Sequence, residues 1–286
     1  RGDRMSEERI EPAIVIGLGV GGVTASIYLS RMGIQPLAFE GGQIGGHVLK
    51  LETIDDFSGF KGSGRQLADE FEKQLKFNNI EVVNEYVLAL YKNSDGLFVV
   101  KTKNGEYKTK AVVIASGLKS KSTINYNGIE VMDNPLLDID RIKDKKVAVV
   151  GGGKVAYMGA LSLSKQAKKV YIIRDNIEAP SVLVKEVESL ENVEISDSLP
   201  EDVDRIYDLP SKSRMIGNTD YCLLKEIVDD QDNIAVGKDC QTFVKGAFAC
   251  GDVVQKSLKT LATAVYDGAI AGVMIYRLLT GMDQVS

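Results

Sequence analysis

The chain has few of the residues on which metal, thiol and imidazole chemistry depend. Its 286 residues include no tryptophan, a single histidine (His47) and three cysteines, Cys222, Cys240 and Cys250. The cysteines form no C-x-x-C pair and no zinc-type spacing, so we expect no metal site. An odd and sparse set of cysteines suits a reducing compartment. We therefore expect a cytoplasmic protein.

An excess of basic charge and long apolar runs are missing as well. The 35 Lys and Arg residues stand against 40 Asp and Glu residues, a net charge of −5, which argues against a surface for nucleic acid or anionic membrane. On our count no apolar run reaches the roughly 18 residues that a membrane span needs. With 44% hydrophobic and 26% charged residues, the composition is that of an ordinary globular protein of about two domains.

The most informative stretch that is present is a glycine-rich turn after a buried strand. Ala13-Ile-Val-Ile16 predicts the strand, and a helix to about Met32 follows the turn. Gly17 permits the tight turn, Gly19 lets a pyrophosphate approach the backbone, and Gly22 lets helix and strand pack closely. The helix N-terminus offers N–H groups and a partial positive charge to the phosphates. The turn therefore predicts a dinucleotide site.

An acidic residue completes this site. The next predicted strand, residues 34–39, delivers Glu40, which can accept both hydroxyls of an adenosine ribose. Strand, turn, helix, strand and acid occur in the order that the dinucleotide fold requires.

A second unit of the same kind lies in mid-chain. Residues 146–156 predict strand, glycine turn and helix start, with a strand over Val170–Arg174 after the helix. Two such units favour two βαβ domains, one duplicated from the other. Between them, short strands are predicted over residues 80–83, 86–91, 97–102 and 106–110. A buried strand over residues 111–117 follows them. A β-meander placed before such a strand is typical of flavin-binding domains.

On these motifs the chain resembles the thioredoxin reductase-like branch of the two-domain flavoproteins, the class II pyridine nucleotide–disulfide oxidoreductases. The matching segments are Gly17–Arg31, Gly41–Ile44, Ile54–Gly59, Ala115–Gly117, Val149–Ala156, Ile216–Thr219, Gly246–Val253 and Lys259–Ala264. The resemblance implies an α/β fold of two Rossmann-like, FAD- and NAD(P)-binding βαβ domains. It implies a discontinuous FAD domain, residues 10–117 and 245–286, with an inserted β-meander. A shortened, degenerate NAD(P)-binding-like domain, residues 118–244, would interrupt it, and the protein would be a homodimer.

The resemblance also assigns residues to FAD. Asp252 would take a ribityl hydroxyl or a nearby phosphate, and the helix starting near Leu261 would aim its N-terminus at the flavin C2 carbonyl. Asp56 falls where the family usually has an amide near the flavin pyrimidine edge; a solvated turn aspartate is an equal interpretation. The full predicted set is Gly17, Gly19, Gly22, Glu40, Gly41, Gly42, Gln43, Asp56, Val87, Gly117, Gly251, Asp252, Thr260 and Leu261.

Two departures from the family pattern matter for activity. The stretch where thioredoxin reductases carry C-x-x-C beside the flavin, residues 124–146, has no cysteine, which argues against disulfide reduction by that route. In the second domain, Gly151, Gly152 and Gly153 keep the turn, but only Arg174 stands where a 2′-phosphate needs paired cations. Asp175 beside it favours a ribose diol. The sequence leaves open whether nicotinamide binding is retained, weak or lost.

The remaining candidates are weaker. His47 can be a proton donor to reduced flavin, although a surface or domain-interface histidine is the better interpretation; no other catalytic residue is assigned. Lys50, Lys61 and Arg65 can meet an acidic carrier protein such as ferredoxin. Two functions stay open: an FAD-dependent oxidoreductase that passes electrons between NAD(P)H or a carrier protein and a non-disulfide acceptor, or a non-catalytic or sensory FAD-binding protein that has lost its nicotinamide site.

Overall fold

The computed structural model describes residues 9–120, 126, 129, 131–137, 139–174, 176–211 and 215–282. The helices are α1 (Val20–Arg31), α2 (Gly64–Phe77), α3 (Lys154–Ser164), α4 (Ser181–Glu188) and α5 (Leu261–Thr280). The strands are β1 (Ile10–Glu11), β2 (Ile14–Ile16), β3 (Leu37–Phe39), β4 (Ile54–Phe57), β5 (Phe60–Gly62), β6 (Glu81–Val83), β7 (Ala89–Lys92), β8 (Phe98–Lys101), β9 (Glu106–Thr109), β10 (Val112–Ile114), β11 (Leu118–Ser120), β12 (Val131–Met132), β13 (Lys146–Val150), β14 (Lys169–Ile173), β15 (Val193–Ser196), β16 (Arg205–Asp208), β17 (Met215–Gly217) and β18 (Ala247–Ala249).

The chain divides into two compact units. The first contains the described residues up to Gly46, then Ala68–Leu118 and the described residues from Gly217 onward. The second contains His47–Leu67 and the described part of Lys119–Ile216. Strands β11 and β17, which pair as a two-stranded sheet, carry the chain across two of the four unit boundaries.

Each unit is built on a five-stranded parallel sheet. The orders are β18-β10-β2-β3-β6 in the first unit and β12-β16-β13-β14-β15 in the second. Central strands such as β2 and β13 are runs of buried Val, Ile and Ala, because strands covered on both faces have no polar side to expose. In both units the central strand, a helix and the neighbouring parallel strand form one βαβ unit, as predicted.

The meander differs from the prediction in one strand. Strands β7, β8 and β9 form an antiparallel meander, with β1 parallel to β9 at its edge. The predicted strand over residues 80–83 instead pairs with β3 in the parallel sheet as β6. The predicted strand over residues 86–91 begins only at Ala89. A period-two pattern identifies a strand but not the sheet in which it pairs.

The units divide the chain at points other than the predicted domain boundaries. Residues 47–67, which we call the 47–67 segment, group with the second unit because polar side chains fasten them to helix α3, as described below. Residues 217–244 group with the first unit, because Leu90 exchanges backbone hydrogen bonds with Tyr221 and Leu223. Neither kind of long-range pairing has a local sequence signal.

Helix α5 corrects the count of apolar runs. Its 20 residues are long and apolar enough to cross a membrane by length and composition alone, and a third of its most apolar 18-residue stretch is buried inside the protein. It packs against α1, where Gly268 and Gly272 allow close approach: a Cβ at Gly268 would lie 2.3 Å from the Gly21 carbonyl oxygen. The helix also carries the buried Asp267. The close packing of α5 on α1 explains why the side of α5 that faces α1 is apolar.

Candidate functional site

The first glycine turn makes an anion cradle at the start of α1. Gly17 has φ +93°, and a Cβ there would lie 2.6 Å from the Ala115 carbonyl oxygen. A Cβ at Gly22 would lie 1.8 Å from the Gly17 carbonyl oxygen, so both positions require glycine. Gly19 differs, because its Cβ would meet nothing within 4 Å. No side chain caps the N-terminus of α1, which leaves first-turn amides for an anion.

Glu40 is held against this turn by backbone amides. Its two carboxylate oxygens accept hydrogen bonds from Leu18 N and Gly42 N, each at 2.8 Å. Gly17 N donates to the Phe39 carbonyl oxygen at 2.8 Å, which ties the end of β3 to the turn. The half-buried carboxylate therefore lies beside the cradle, where an adenosine ribose would follow the phosphates.

A third element closes the cradle. The Gly251-Asp252 turn lies against α1, since a Cβ at Gly21 would come within 3.2 Å of Gly251 N. The Asp252 Oδ1 atom is buried and has no hydrogen-bond partner among the described residues. An unpaired buried carboxylate oxygen is costly, and a ribityl hydroxyl would satisfy it. The residues present thus fit a dinucleotide such as FAD.

Two charged residues behind this turn were missed by the sequence analysis. Asp267 of α5 accepts a hydrogen bond from Gly251 N at 3.1 Å and pairs with Lys256. Both side chains are largely buried, with 11% and 16% of their surfaces exposed. They hold the Gly251-Asp252 turn in place. An aspartate inside an otherwise apolar helix was the signal that could have identified them.

The other predicted FAD residues of the first unit are at loops and at a helix start: Gly41, Gly42, Gln43, Val87, Gly117, Thr260 and Leu261. Gly117 has φ +68° with open space at its Cβ, and Val87 packs on the core of the unit. Thr260 caps α5 through a reciprocal pair of hydrogen bonds with Thr263. The helix starts at Leu261 as predicted; its role toward a flavin stays a prediction.

An exposed tyrosine beside Glu40 also escaped the sequence analysis. A Cβ at Gly41 would lie 2.3 Å from the Tyr86 ring, so the glycine is needed to admit the ring. The Tyr86 side chain is 70% exposed. It places an exposed aromatic ring beside the loop that follows Glu40.

Two predicted residues lie in the second unit instead. His47 is exposed in a 3₁₀ turn over Gly46–Lys50. The Asp56 carboxylate pairs with Lys154 Nζ at 2.8 Å, which lowers the pKa of Asp56. The carboxylate thus has a cation partner at the second glycine turn, and both interpretations of Asp56, a residue near the flavin pyrimidine edge or a solvated turn aspartate, stay open.

The 47–67 segment has a second fastening to α3. The Glu52 carboxylate accepts a hydrogen bond from the buried Ser162 hydroxyl and pairs with Lys165 Nζ at 3.1 Å. The Ser162 hydrogen bond is the main reason that the pKa of Glu52 is lowered. On the same segment, Lys50 pairs with Asp133 at 2.9 Å, so this predicted docking cation already has an acidic partner.

We expect these carboxylates to make the second unit acid-sensitive. Because the pKa values of Glu52 and Asp56 are depressed in the folded protein, their stabilising contribution is present above the ordinary carboxyl pKa of about 4 and is lost as pH falls through the folded values. The free energy of unfolding, measured by urea denaturation from pH 7 to pH 3, should depend less on pH in the E52Q/D56N variant than in the wild type. The exposed Glu191 provides the control E191Q, and an unchanged profile in E52Q/D56N would contradict the assignment.

The second glycine turn repeats the geometry of the first. Gly151 has φ +146°, and a Cβ there would lie 1.9 Å from the Leu209 carbonyl oxygen. Helix α3 begins after Gly153 without a side-chain cap. The loop after β14 lies against the turn, because Glu178 N and Ala179 N donate to the Gly152 carbonyl oxygen at 2.8 and 3.1 Å. The second turn thus shares with the first a glycine that the backbone requires and an uncapped helix start.

The residue after the second strand differs in charge between the two turns: it is Glu40 in the first unit and Arg174 in the second. Arg174 follows β14, and its guanidinium pairs with Glu188 at 3.0 Å. The predicted ribose ligand Asp175 lies outside the described residues. The single described cation at this strand end therefore already has a carboxylate partner.

The sequence matches the pyridine nucleotide-disulphide oxidoreductase family over residues 11–194, more than half of the chain. The chain belongs to this family. The match confirms the resemblance and the thioredoxin reductase-type α/β fold that the motifs predicted.

Individual relatives cover nearly the whole chain. A thioredoxin reductase of Borreliella burgdorferi is 31% identical, with 94% of this chain and 92% of the relative aligned. A 34.2 kDa protein in the rubredoxin operon of Clostridium pasteurianum is 29% identical, over 97% of this chain and 100% of the relative. The crystal structure of Lactococcus lactis thioredoxin reductase in its FR conformation superposes with a TM-score of 0.86 at 22% identity, covering 95% of this chain and 99% of that one.

Membership defines the chemistry in outline. The chain is a thioredoxin reductase-like flavoprotein oxidoreductase, and its family uses FAD and NAD(P)H. Within the described residues, no group of three or more His, Cys, Asp and Glu side chains is arranged to hold a metal ion.

The cysteines are poorly suited to thiol chemistry. Cys222, Cys240 and Cys250 are all buried and unpaired. Burial raises the pKa of each thiol, to about 12 for Cys240. The thiolate is the reactive form, so these side chains are protonated and unreactive at neutral pH. They fill core space, as Cys250 does against Gly21.

Proposed function

We propose that the protein is an FAD-dependent oxidoreductase that passes electrons between NAD(P)H or a small carrier protein and a non-disulfide acceptor. The observation that carries this proposal is the cradle of the first unit. An uncapped helix start opens beside Gly19, and the unpartnered Asp252 Oδ1 atom and the oriented Glu40 carboxylate belong to elements packed on the same turn.

In this proposal the chain's residues bind and orient the cofactor. FAD bound there would supply hydride and single-electron transfer. The α1 amides would hold its pyrophosphate, Glu40 its adenosine ribose, and Asp252 a ribityl hydroxyl. Tyr86 would offer its ring to the adenine. The loop Gly41-Gly42-Gln43, together with Val87, Gly117, Thr260 and Leu261, would complete the FAD contacts.

Partners and location follow from the same resemblance. The relative in a rubredoxin operon supports a small redox carrier protein as one electron partner. Lys61, exposed on β5, remains the docking cation to test, because Lys50 and Arg65 already have interactions. We propose a cytoplasmic homodimer that binds neither nucleic acid nor membrane.

Anaerobic reduction tests the proposal directly. We expect the purified protein to be yellow and to bleach slowly with pyridine nucleotides, with NADH no worse than NADPH, because the Arg174 charge is already paired. Stopped-flow absorbance with each nucleotide, and with a reduced carrier protein, measures the rates. Fast, NADPH-selective bleaching would refute the nucleotide preference. A yellow protein that neither donor reduces would favour the non-catalytic or sensory alternative.

We expect no thioredoxin reduction. Electrons reach a protein disulfide through a thiol pair near the flavin, and the three cysteines form no C-x-x-C pair and have raised pKa values. A thioredoxin-coupled disulfide assay should show no turnover. A thiol reagent should label no cysteine in the native protein and all three after denaturation. Thioredoxin turnover that survives replacement of the three cysteines by alanine would show that the assumed thiol route is not the one used.

A further inference from the structure

The two βαβ units correspond residue by residue at their strand ends. Gly17 N donates to the Phe39 carbonyl oxygen at 2.8 Å in the first unit, and Gly151 N donates to the Ile173 carbonyl oxygen at 2.9 Å in the second. The residues that follow these carbonyls, Glu40 and Arg174, therefore occupy equivalent positions. In such units this position meets the adenosine ribose: a carboxylate binds the diol, and an arginine accommodates a 2′-phosphate.

The Arg174 guanidinium is nevertheless engaged within its own unit. Its Nη1 atom lies 3.0 Å from Glu188 Oε1 at the end of α4. The same oxygen accepts a hydrogen bond from the Tyr157 hydroxyl of α3 at 2.9 Å. Burial raises the pKa of Tyr157, so the phenol stays protonated and donates. Glu188 is thus fixed by two donors, one on α3 and one directly after β14.

We propose that Glu188 sets the nucleotide selectivity of the second glycine turn, by pairing Arg174 and so excluding nucleotides that carry a 2′-phosphate. A 2′-phosphate next to Arg174 would meet the Glu188 carboxylate, which repels it and withholds the guanidinium from it. A ribose diol carries no charge and does not require the pair to break. This inference rests on the proposed function, because it assumes that the second turn binds an adenine nucleotide.

Glu188 acts on the nucleotide through Arg174, so the experiment must distinguish a change in nucleotide selectivity from a loss of binding for all nucleotides. The probes are adenosine 2′,5′-bisphosphate and adenosine 5′-diphosphate, titrated calorimetrically into the FAD-loaded protein. Wild-type protein should bind the 5′-diphosphate at least as well. In E188Q the affinity for the 2′,5′-bisphosphate, relative to that for the 5′-diphosphate, should rise by about tenfold, which is the effect of one charge-assisted hydrogen bond. E188D should keep the wild-type ratio, and R174Q/E188Q should lose the gain.

The chain offers a matched control. Glu194 pairs with Lys169 at 3.0 Å near the opposite end of β14, so E194Q removes a similar ion pair without touching Arg174 and should leave the ratio unchanged. The inference would be overturned if E188Q changed the affinities for both probes equally or changed neither. It would also be overturned if no variant bound either probe. Neither probe contains nicotinamide, so these outcomes are independent of flavin reduction, which tests the proposed function separately.

Discussion

Replacing Gly19 by valine should yield a folded but colourless protein. The Gly19 backbone is extended, with φ −71° and ψ −174°, a conformation open to any residue. A Cβ there meets no protein atom within 4 Å, so the valine should not disturb packing. It would instead fill the space in which a pyrophosphate approaches the α1 amides. Losing two charge-assisted hydrogen bonds, each about 1.5–3 kcal/mol, weakens binding about 10²–10⁴-fold.

The measurement is FAD content after purification, with circular dichroism and cooperative unfolding as checks on folding. Gly105, in the turn between β8 and β9, gives the control G105V, since a Cβ there makes only ordinary contacts with Tyr107. That variant should stay yellow. Wild-type FAD content in G19V, or FMN in place of FAD, would contradict the assignment of the cradle. G22A would be a poor test, because its clash with the Gly17 carbonyl oxygen threatens the fold itself.

This contrast between glycines shows which features the sequence could predict. The roles of Gly17 and Gly22 follow from local rules: a positive φ in a tight turn and a close helix–strand approach. Strands β2 and β13 were predictable for a similar reason, because runs of Val, Ile and Ala suit a buried parallel sheet. Local chemistry fixes such elements, and the same chemistry allowed Glu40 to be placed beside the turn.

Long-range pairing could not be predicted in the same way. Glu52 and Lys165 are 113 residues apart, and nothing near either residue indicates that they meet. Chain continuity therefore assigned the 47–67 segment to the FAD domain, although it groups with the second unit. The pair of Arg174 and Glu188 escaped prediction too, because α4 had not been predicted as an element. This pair engages the arginine that the sequence had named as a candidate for the nucleotide site.

Among the variants considered, removal of Asp267 from the buried Asp267–Lys256 pair behind the Gly251-Asp252 turn should lower stability most. D267A would leave Lys256 buried without its anion and Gly251 N without its acceptor. Removing one partner of a buried pair costs about 3–5 kcal/mol, so urea denaturation of the FAD-saturated protein should show a loss of this size. The D267A/K256M double variant should recover part of that loss, because no unpaired charge stays buried.

An exposed pair of the same unit sets the scale for this comparison. Lys101 and Glu106 lie 2.9 Å apart with about half of each side chain exposed, and E106A should cost less than about 1 kcal/mol. D267A should also weaken FAD binding, since the turn that carries Asp252 loses its anchor. If D267A is no more costly than E106A, the Asp267–Lys256 pair does not hold this turn.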